Sequence, residues 1–120
     1  MTSKTILVVD DDRHALSALA SMVETLGHRV IVASGGHEAL GLLTRGAHAD
    51  AIVTDLRMPD MDGIDLCEQA RDIQGDLPVI LVTGDATGID EALRQGALAL
   101  LKPYSLDALG SVLEEAFAVR

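Results

Sequence analysis

The sequence predicts an α/β domain with an open parallel sheet and helices on both of its faces. One observation is that short apolar runs without alternation, such as residues 6–9 and 79–82, are typical of strands buried on both sides. Another is that segments with helical spacing of apolar residues separate these runs, so that the two kinds of segment alternate five times. This alternation implies right-handed crossovers and a doubly wound sheet.

The first half of the chain contains two strand and helix pairs. Residues 5–9 are the first predicted strand, and the helix after them begins at Asp12, an N-cap residue type, and ends at Gly27. Residues 29–33 are the second strand, and the second helix follows Gly36 and is closed by Gly46. The inward faces of these helices are predicted to contain Leu16, Leu19, Ala20, Val23 and Leu26, and then Ala39, Leu40 and Leu43.

The second half repeats the pattern three times. Residues 50–54, 78–82 and 98–101 are the remaining predicted strands. Helices are predicted over residues 64–73 and 89–95 and in the last segment, with these inward positions: Leu66, Cys67, Ala70 and Ile73; Ile89, Ala92 and Leu93; Leu106, Leu109, Leu113, Ala116 and Phe117. The helix over 89–95 is expected to be short or shifted and loosely held, because Gly84, Gly88 and Gly96 lie in or beside it.

Polar side chains follow four of the five predicted strands. In the flavodoxin-like strand order 2-1-3-4-5, strands 1 and 3 are neighbours at the point where the winding reverses, and ligands bind at the carboxyl edge there. Asp10 and Asp11 follow the first strand, and Asp55 follows the third. Thr83 and Lys102 follow the fourth and the fifth. We therefore expect these five side chains to meet at one edge of the sheet.

Three carboxylates in one partly buried place predict a bound cation. Asp10, Asp11 and Asp55 would repel one another unless a positive charge compensated them. Because the donors are oxygen atoms, Mg²⁺ is favoured and Mn²⁺ is a plausible substitute. The backbone carbonyl of Arg57 is the simplest further ligand, whereas Asp12 is interpreted as a helix cap.

The same group of residues has the parts that phosphoryl transfer needs. A carboxylate beside Mg²⁺ can attack phosphorus and form an aspartyl phosphate, which makes Asp55 the predicted phosphoacceptor. Transfer requires in-line positioning and neutralisation of the charge on the phosphoryl oxygens. Lys102 and Thr83 can each contact one of these oxygens, and Pro103 restricts the backbone of Lys102 to extended geometry.

Composition narrows the function classes further. The formal net charge of −10, with nine scattered Lys and Arg residues, argues against direct binding to nucleic acid. The apolar runs are far shorter than the roughly 20 residues that span a bilayer, and no export signal is evident, so we expect no membrane association and a cytoplasmic setting. Cys67 is the only cysteine and is predicted to be a buried thiol. The length predicts a single domain over residues 1–120.

Four motifs together resemble those of a known family. They are Ile6-Leu7-Val8-Val9-Asp10-Asp11-Asp12, Asp55-Leu56-Arg57-Met58-Pro59-Asp60-Met61-Asp62-Gly63, Thr83-Gly84 and Lys102-Pro103. Over about Lys4 to Ala118 the sequence resembles the receiver domains of two-component response regulators, and is similar to the stand-alone chemotaxis regulator.

This resemblance implies a function for each site residue. Asp55 would take a phosphoryl group from a phosphohistidine on a sensor histidine kinase or phosphotransfer protein. Asp10, Asp11, Asp55 and the Arg57 carbonyl would bind Mg²⁺, and Thr83 and Lys102 would contact the phosphate. A shift in conformation would then control a partner protein or an output domain, and a phosphorylation-dependent homodimer is compatible with the resemblance. The expected chemistry is self-catalysed phosphotransfer and autodephosphorylation, without further enzymatic turnover.

Two features depart from the family pattern and leave alternatives open. In the family switch, the threonine moves toward the phosphate while an aromatic residue of strand 5 turns inward, but that position is Ala99 here. The segment between Thr83 and Lys102 is also a few residues shorter than usual. A pseudo-receiver that binds partners without phosphorylation is therefore one alternative. A small Mg²⁺-dependent phosphoaspartyl phosphatase is another, although Arg57 stands where such enzymes usually have a second acid.

Overall fold

Five strands and five helices alternate in the computed structural model, which describes residues 3–118. The strands are β1 (Thr5–Val9), β2 (Arg29–Ala33), β3 (Ala51–Asp55), β4 (Val79–Thr83) and β5 (Leu98–Leu101). The helices are α1 (Arg13–Thr25), α2 (Gly36–Thr44), α3 (Gly63–Gln74), α4 (Ala86–Arg94) and α5 (Leu106–Ala118). All strand pairs are parallel, and the strand order β2-β1-β3-β4-β5 confirms the prediction.

Each face of the sheet is covered by its own apolar layer. Leu7 and Val9 of β1 point into one layer, which is completed by α2, α3 and α4. Ile6 and Val8 of the same strand point into the other, which is completed by α1 and α5. Because successive strand residues point to opposite faces, a strand covered on both sides must be apolar throughout. This explains why the strand runs do not alternate with polar residues.

The helix ends follow the local signals in the sequence. The Asp12 carboxylate accepts hydrogen bonds from the backbone of His14 and Ala15, at 2.9 and 3.2 Å, so it caps α1 as predicted. Gly27 and Gly46, which follow α1 and α2, have φ angles of 95° and 100°. An L side chain rarely adopts this left-handed conformation, so glycine is the residue that suits these two turns.

The packing of two apolar side chains was predicted wrongly. Ile73 is 43% exposed, because α3 turns Gln74 inward at this point and the Gln74 amide bonds both backbone groups of Ala49. Leu93 is 57% exposed, because the face of α4 that meets the sheet is centred on Gly88 and Ala92. Strands β3 and β4 also begin and end one residue later than predicted.

Helix α4 begins earlier than its apolar spacing suggested. It covers Ala86–Arg94, and its cap is Asp85, whose carboxylate accepts a hydrogen bond of 2.8 Å from Gly88 N–H. Its opposite end is held by Arg71 of α3. The guanidinium donates to the carbonyls of Gln95 and Gly96, at 3.3 and 3.2 Å, and to that of Leu77 at 3.2 Å. Side chains therefore bond the backbone at both ends of α4, and the expectation that this helix is loosely held stays a prediction.

Among the helices of residues 3–118, none combines the length and apolar character that crossing a bilayer requires.

Candidate functional site

The three acids predicted to meet do so at the carboxyl edge of the sheet. Strands β1 and β3 are hydrogen-bonded neighbours, with Val9 opposite Thr54, so that the residues after them lie side by side. One carboxylate oxygen from each of Asp10, Asp11 and Asp55 lies within 4.8 Å of the others. Asp10 is buried, Asp55 is partly buried and Asp11 is exposed. Oxygen donors at this spacing and with one open side fit a hexacoordinate hard cation such as Mg²⁺.

Burial and like charge act together on Asp10. The residue is 6% exposed, and burial is the largest factor that raises the pKa of its carboxyl group. The charges of Asp55 and Asp11 raise this pKa further, whereas a hydrogen bond of 2.9 Å from Asp12 N–H and the charge of Lys102 oppose the shift. The net effect is a raised pKa, so the ionised form of Asp10 is destabilised unless a cation binds the three acids.

Lys102 supplies one positive charge to this cluster. Its Nζ lies 3.2 Å from Oδ1 of Asp55, and its side chain is 40% exposed. Its backbone N–H donates to the Thr83 carbonyl at 2.7 Å, which extends the pairing of β4 and β5 by one residue. The following peptide bond, to Pro103, is cis. The contact with Asp55 joins β3 to the end of β5, two places away in the sheet.

Thr83 ends β4 on the same edge. The register places Val82 opposite Asp55, so Thr83 lies one residue beyond the acid on the neighbouring strand. It is 3% exposed, and its hydroxyl accepts a hydrogen bond of 3.3 Å from Asp85 N–H. Gly88 of α4 lies so close that a Cβ atom there would be 2.4 Å from the Thr83 hydroxyl oxygen. The first turn of α4 is thus in direct contact with a residue of the site.

The loop between β3 and α3, residues 56–62, continues directly from Asp55. Gly63 N–H donates to the Leu56 carbonyl at 2.8 Å, and a Cβ atom on Gly63 would be 2.8 Å from the Asp55 carbonyl oxygen. Glycine is therefore required where the loop returns to the strand. Arg57 is exposed, and its guanidinium lies 3.9 Å from the Glu91 carboxylate on α4. The Arg57 backbone carbonyl as a metal ligand stays a prediction.

Asp60 and Asp62, two acids of the loop after Asp55, are not part of the cluster of Asp10, Asp11 and Asp55. Asp60 lies against the start of α2, where its carboxylate accepts the backbone N–H of His37 at 2.9 Å. Asp62 caps α3 and accepts the N–H of Asp65 at 2.9 Å. The N–H groups at the starts of α2 and α3 therefore satisfy these two carboxylates.

Tyr104 is a further neighbour of the site. Its ring is partly buried against the layer of α1 and α5. Burial, followed by the charges of Asp10 and Asp55, raises the pKa of its phenol. The available signal was its position two residues after Lys102, although only the fold shows that this turn brings the ring toward the acids.

The fold agrees with comparisons to known proteins. A family model described as the response regulator receiver domain matches residues 6–114. The chain is 37% identical over 119 residues to the DNA-binding transcriptional regulator NtrC of Azospirillum brasilense, covering 97% of this chain and 24% of that protein. It is 35% identical over 114 residues to the transcriptional regulatory protein GlrR of Escherichia coli K12, covering 92% and 26%.

A solved receiver domain structure has the same fold. The response regulator receiver domain protein from Clostridium thermocellum superposes with a TM-score of 0.88 at 28% identity, covering 97% of this chain and 95% of that one. The chain therefore belongs to the response regulator receiver domain family, whose members are phosphoacceptor signalling domains of two-component systems. It spans about a quarter of the length of the two curated relatives named above.

Proposed function

We propose that Asp55 is the phosphoacceptor and that it takes its phosphoryl group from a phosphohistidine of a sensor histidine kinase or phosphotransfer protein. The observation that carries this proposal is the contact of 3.2 Å between Lys102 Nζ and Asp55 Oδ1, beside the carboxylates of Asp10 and Asp11. An acid that is flanked by a cation and by further oxygen ligands has the surroundings that a phosphoryl group needs.

The transfer itself is a substitution at phosphorus. A carboxylate oxygen of Asp55 forms a bond to phosphorus while the bond from phosphorus to the histidine nitrogen breaks. The electron pair of the broken bond stays on that nitrogen, and because the other ring nitrogen of the phosphohistidine carries a proton before transfer, the imidazole leaves neutral. Lys102 is placed to neutralise charge on one phosphoryl oxygen, and the Thr83 hydroxyl, once its side chain turns toward the acid, can donate to another.

The acidic cluster fits a divalent cofactor. Asp10, Asp11 and Asp55, with the Arg57 backbone carbonyl, would hold Mg²⁺, and Mn²⁺ could replace it. When bound, the ion neutralises negative charge on the carboxylates and on the incoming phosphoryl group. The raised pKa of Asp10 supports this assignment, because burial disfavours its ionised form and a bound cation would offset that effect.

Labelling with acetyl phosphate and Mg²⁺ tests this proposal. We expect one phosphoryl mass on the wild-type protein and none on Asp55→Asn. Asp65→Asn is a matched control, because Asp65 is an exposed acid ten positions further along the chain. A wild-type protein whose mass stays unchanged, while a known receiver domain is labelled in parallel, would refute the proposed chemistry.

One observation favours a second candidate function. Ala99 stands at the position where the family switch uses an aromatic residue, and an alanine has no rotamer to change. A pseudo-receiver that binds its partner without phosphorylation would not need that residue. Amide shifts with and without beryllofluoride separate the two functions. Shifts that reach residues 84–105 support a phosphorylation switch, whereas shifts confined to the acidic cluster support the pseudo-receiver.

The remaining parts of the proposal concern the cellular context. The kinase and the output partner are proteins of the cytoplasm in this proposal, and the domain acts on them by contact rather than by catalysis.

A phosphoaspartyl phosphatase would instead turn over an added phosphate ester repeatedly. A labelling reaction that stops after one equivalent, followed only by slow hydrolysis of Asp55 phosphate, would support the signalling function over the phosphatase.

A further inference from the structure

Helix α2 begins without a capping side chain of its own. Gly35, at the N-cap position, has extended backbone and makes no side-chain hydrogen bond to the helix. The Glu38 carboxylate in the first turn bonds the N–H of Ser34, at 2.7 Å, outside the helix. The first N–H groups of a helix have no partner within it, so these must find an acceptor elsewhere.

Asp60 of the loop 56–62 provides that acceptor. Its Oδ2 accepts from His37 N–H at 2.9 Å and lies 3.1 Å from His37 Nδ1, and its Oδ1 accepts from Met61 N–H at 2.9 Å. Burial acts to raise the pKa of Asp60, but the hydrogen bonds from His37, Gly36 and Met61 outweigh it and lower the pKa. A carboxylate at a helix N-terminus also interacts favourably with the helix dipole.

The loop packs closely against Gly35 and Gly36 at the start of α2. A Cβ atom on Gly35 would be 2.9 Å from Asp60 Oδ2, and one on Gly36 would be 2.3 Å from Met61 Cγ. These distances are shorter than real side-chain contacts, so a side chain at Gly35 or Gly36 would displace the Asp60 carboxylate or the Met61 side chain. Asp60 is thus held to α2 by hydrogen bonds and close packing, and Met61 by close packing alone.

This attachment lies close in the chain to the metal cluster. At its base, the loop is closed by the bond from Gly63 N–H to the Leu56 carbonyl, and Met58 is buried in the core. Arg57 lies between these two attachments and is itself exposed. The contact of Asp60 with α2 is the third attachment, and it fixes the outer part of a loop whose inner part would supply a backbone ligand.

We propose that Asp60 is a positioning residue for the phosphotransfer site, because it locks the loop onto α2 and thereby fixes the Arg57 carbonyl for metal binding. The inference rests on the proposed function in one respect, namely that the Arg57 carbonyl is a metal ligand. It goes beyond that function because it assigns a role to a residue that touches neither the metal cluster nor the phosphoacceptor.

A magnesium titration of matched variants tests the proposal. Removing a residue that orients a metal ligand typically weakens metal affinity by about 10-fold or more. We expect Asp60→Ala to raise the half-saturating Mg²⁺ concentration by about 10-fold, measured both by amide shifts of residues 10–12 and 55–58 and by acetyl phosphate labelling. The maximal labelling rate at saturating Mg²⁺ should change less than about 2-fold, since Asp60 does not touch the reacting atoms.

Two further variants separate positioning from general loss of structure. Asp60→Asn keeps an oxygen acceptor and should give an intermediate Mg²⁺ affinity, and it replaces the alanine variant if that one does not fold. Asp72→Ala removes an exposed acid of α3 and should behave as wild type. In the metal-free proteins, amide hydrogen exchange should accelerate at His37 and residues 57–61 in Asp60→Ala, and not in Asp72→Ala.

The outcomes distinguish this proposal from the proposed function. Unchanged half-saturation in Asp60→Ala, or an equal loss in Asp72→Ala, would overturn the role of Asp60. A reduced maximal rate with normal Mg²⁺ dependence would overturn it as well. Wild-type protein that binds Mg²⁺ but takes no label would refute phosphotransfer, and the titration by amide shifts would still decide the role of Asp60.

Discussion

The ammonium of Lys102 lies 3.2 Å from Oδ1 of Asp55, although Asp55 ends β3, Lys102 follows β5, and β4 lies between these two strands. The contact offsets part of the charge of the three clustered acids. It also places a cation where a phosphoryl oxygen on Asp55 would lie. One side chain can therefore stabilise both the free site and its phosphorylated form.

Replacing Lys102 by alanine should slow labelling of Asp55 by about 100-fold, because a preorganised positive charge next to the reacting group is lost. Mg²⁺ affinity should stay largely unchanged, since Lys102 is not a ligand. The time course of mass increase with acetyl phosphate and a Mg²⁺ titration measure the two effects. Lys102→Arg keeps the charge and should be slowed less. Loss of Mg²⁺ binding in the alanine variant would contradict the assigned role.

Replacing Gly88 by alanine should destabilise the protein by about 1–3 kcal/mol, because the new methyl group would overlap the Thr83 side chain. Denaturant unfolding measures this change. Gly84→Ala is the control, because a Cβ atom at Gly84 meets nothing within 4 Å.

A double variant identifies the cause of that loss. Gly88→Ala combined with Thr83→Ala should lose less stability than the sum of the single variants, because the two side chains are in contact. Strict additivity would show that the contact between α4 and Thr83 does not carry the effect.

Replacing Arg71 by lysine should release the C-terminal end of α4. The guanidinium bonds three backbone carbonyls, and an ammonium cannot reproduce this planar arrangement. We expect a loss of about 1–2 kcal/mol in unfolding free energy and faster amide exchange over residues 93–97. Arg94→Lys, an exposed position on α4, should leave both quantities unchanged. Equal exchange in both variants would contradict the role of Arg71.

Replacing Asp10 by asparagine should stabilise the metal-free protein in a pH-dependent way. The folded-state pKa of Asp10 is raised, so its neutral form favours folding below the unfolded pKa, and that advantage is lost as the pH rises through the folded pKa. The variant, which cannot ionise, should therefore match wild type at acid pH and melt at a higher temperature near pH 7.

Added Mg²⁺ should reverse this order. Wild type should gain melting temperature as the ion binds the folded state, and Asp10→Asn should gain much less. Thermal melts between pH 3 and pH 8, with and without Mg²⁺, measure both effects. A variant that is less stable than wild type at pH 7 without metal would contradict the raised pKa assigned to Asp10.

Much of the fold could be predicted because its signals are local. The apolar runs, the Asp12 cap and the glycines after α1 and α2 each act within a few residues, and the structure confirms them. The meeting of Asp10, Asp11, Asp55 and Lys102 was also predicted. It followed from one assumption about strand order, since the ends of parallel strands share an edge.

The errors concern contacts with other elements. Ile73 and Leu93 have suitable helical spacing, but Gln74 takes the inward position in α3, and the buried face of α4 contains Gly88 and Ala92 without Leu93. Asp60 belongs to the loop after Asp55, yet its carboxylate bonds the N–H of His37 in a helix that begins 24 residues earlier. The spacing of residues within a segment does not show which other element that segment will contact.

The sequence by itself determined the alternation of strands and helices, their approximate ends and the chemical types gathered at the sheet edge, because these depend on periodicity and on neighbours along the chain. Only the tertiary structure decided that Asp60 caps α2, that Gly88 touches Thr83 and that Arg71 holds the end of α4. Those three contacts join residues from separate elements, and their distances depend on how helices pack on the sheet.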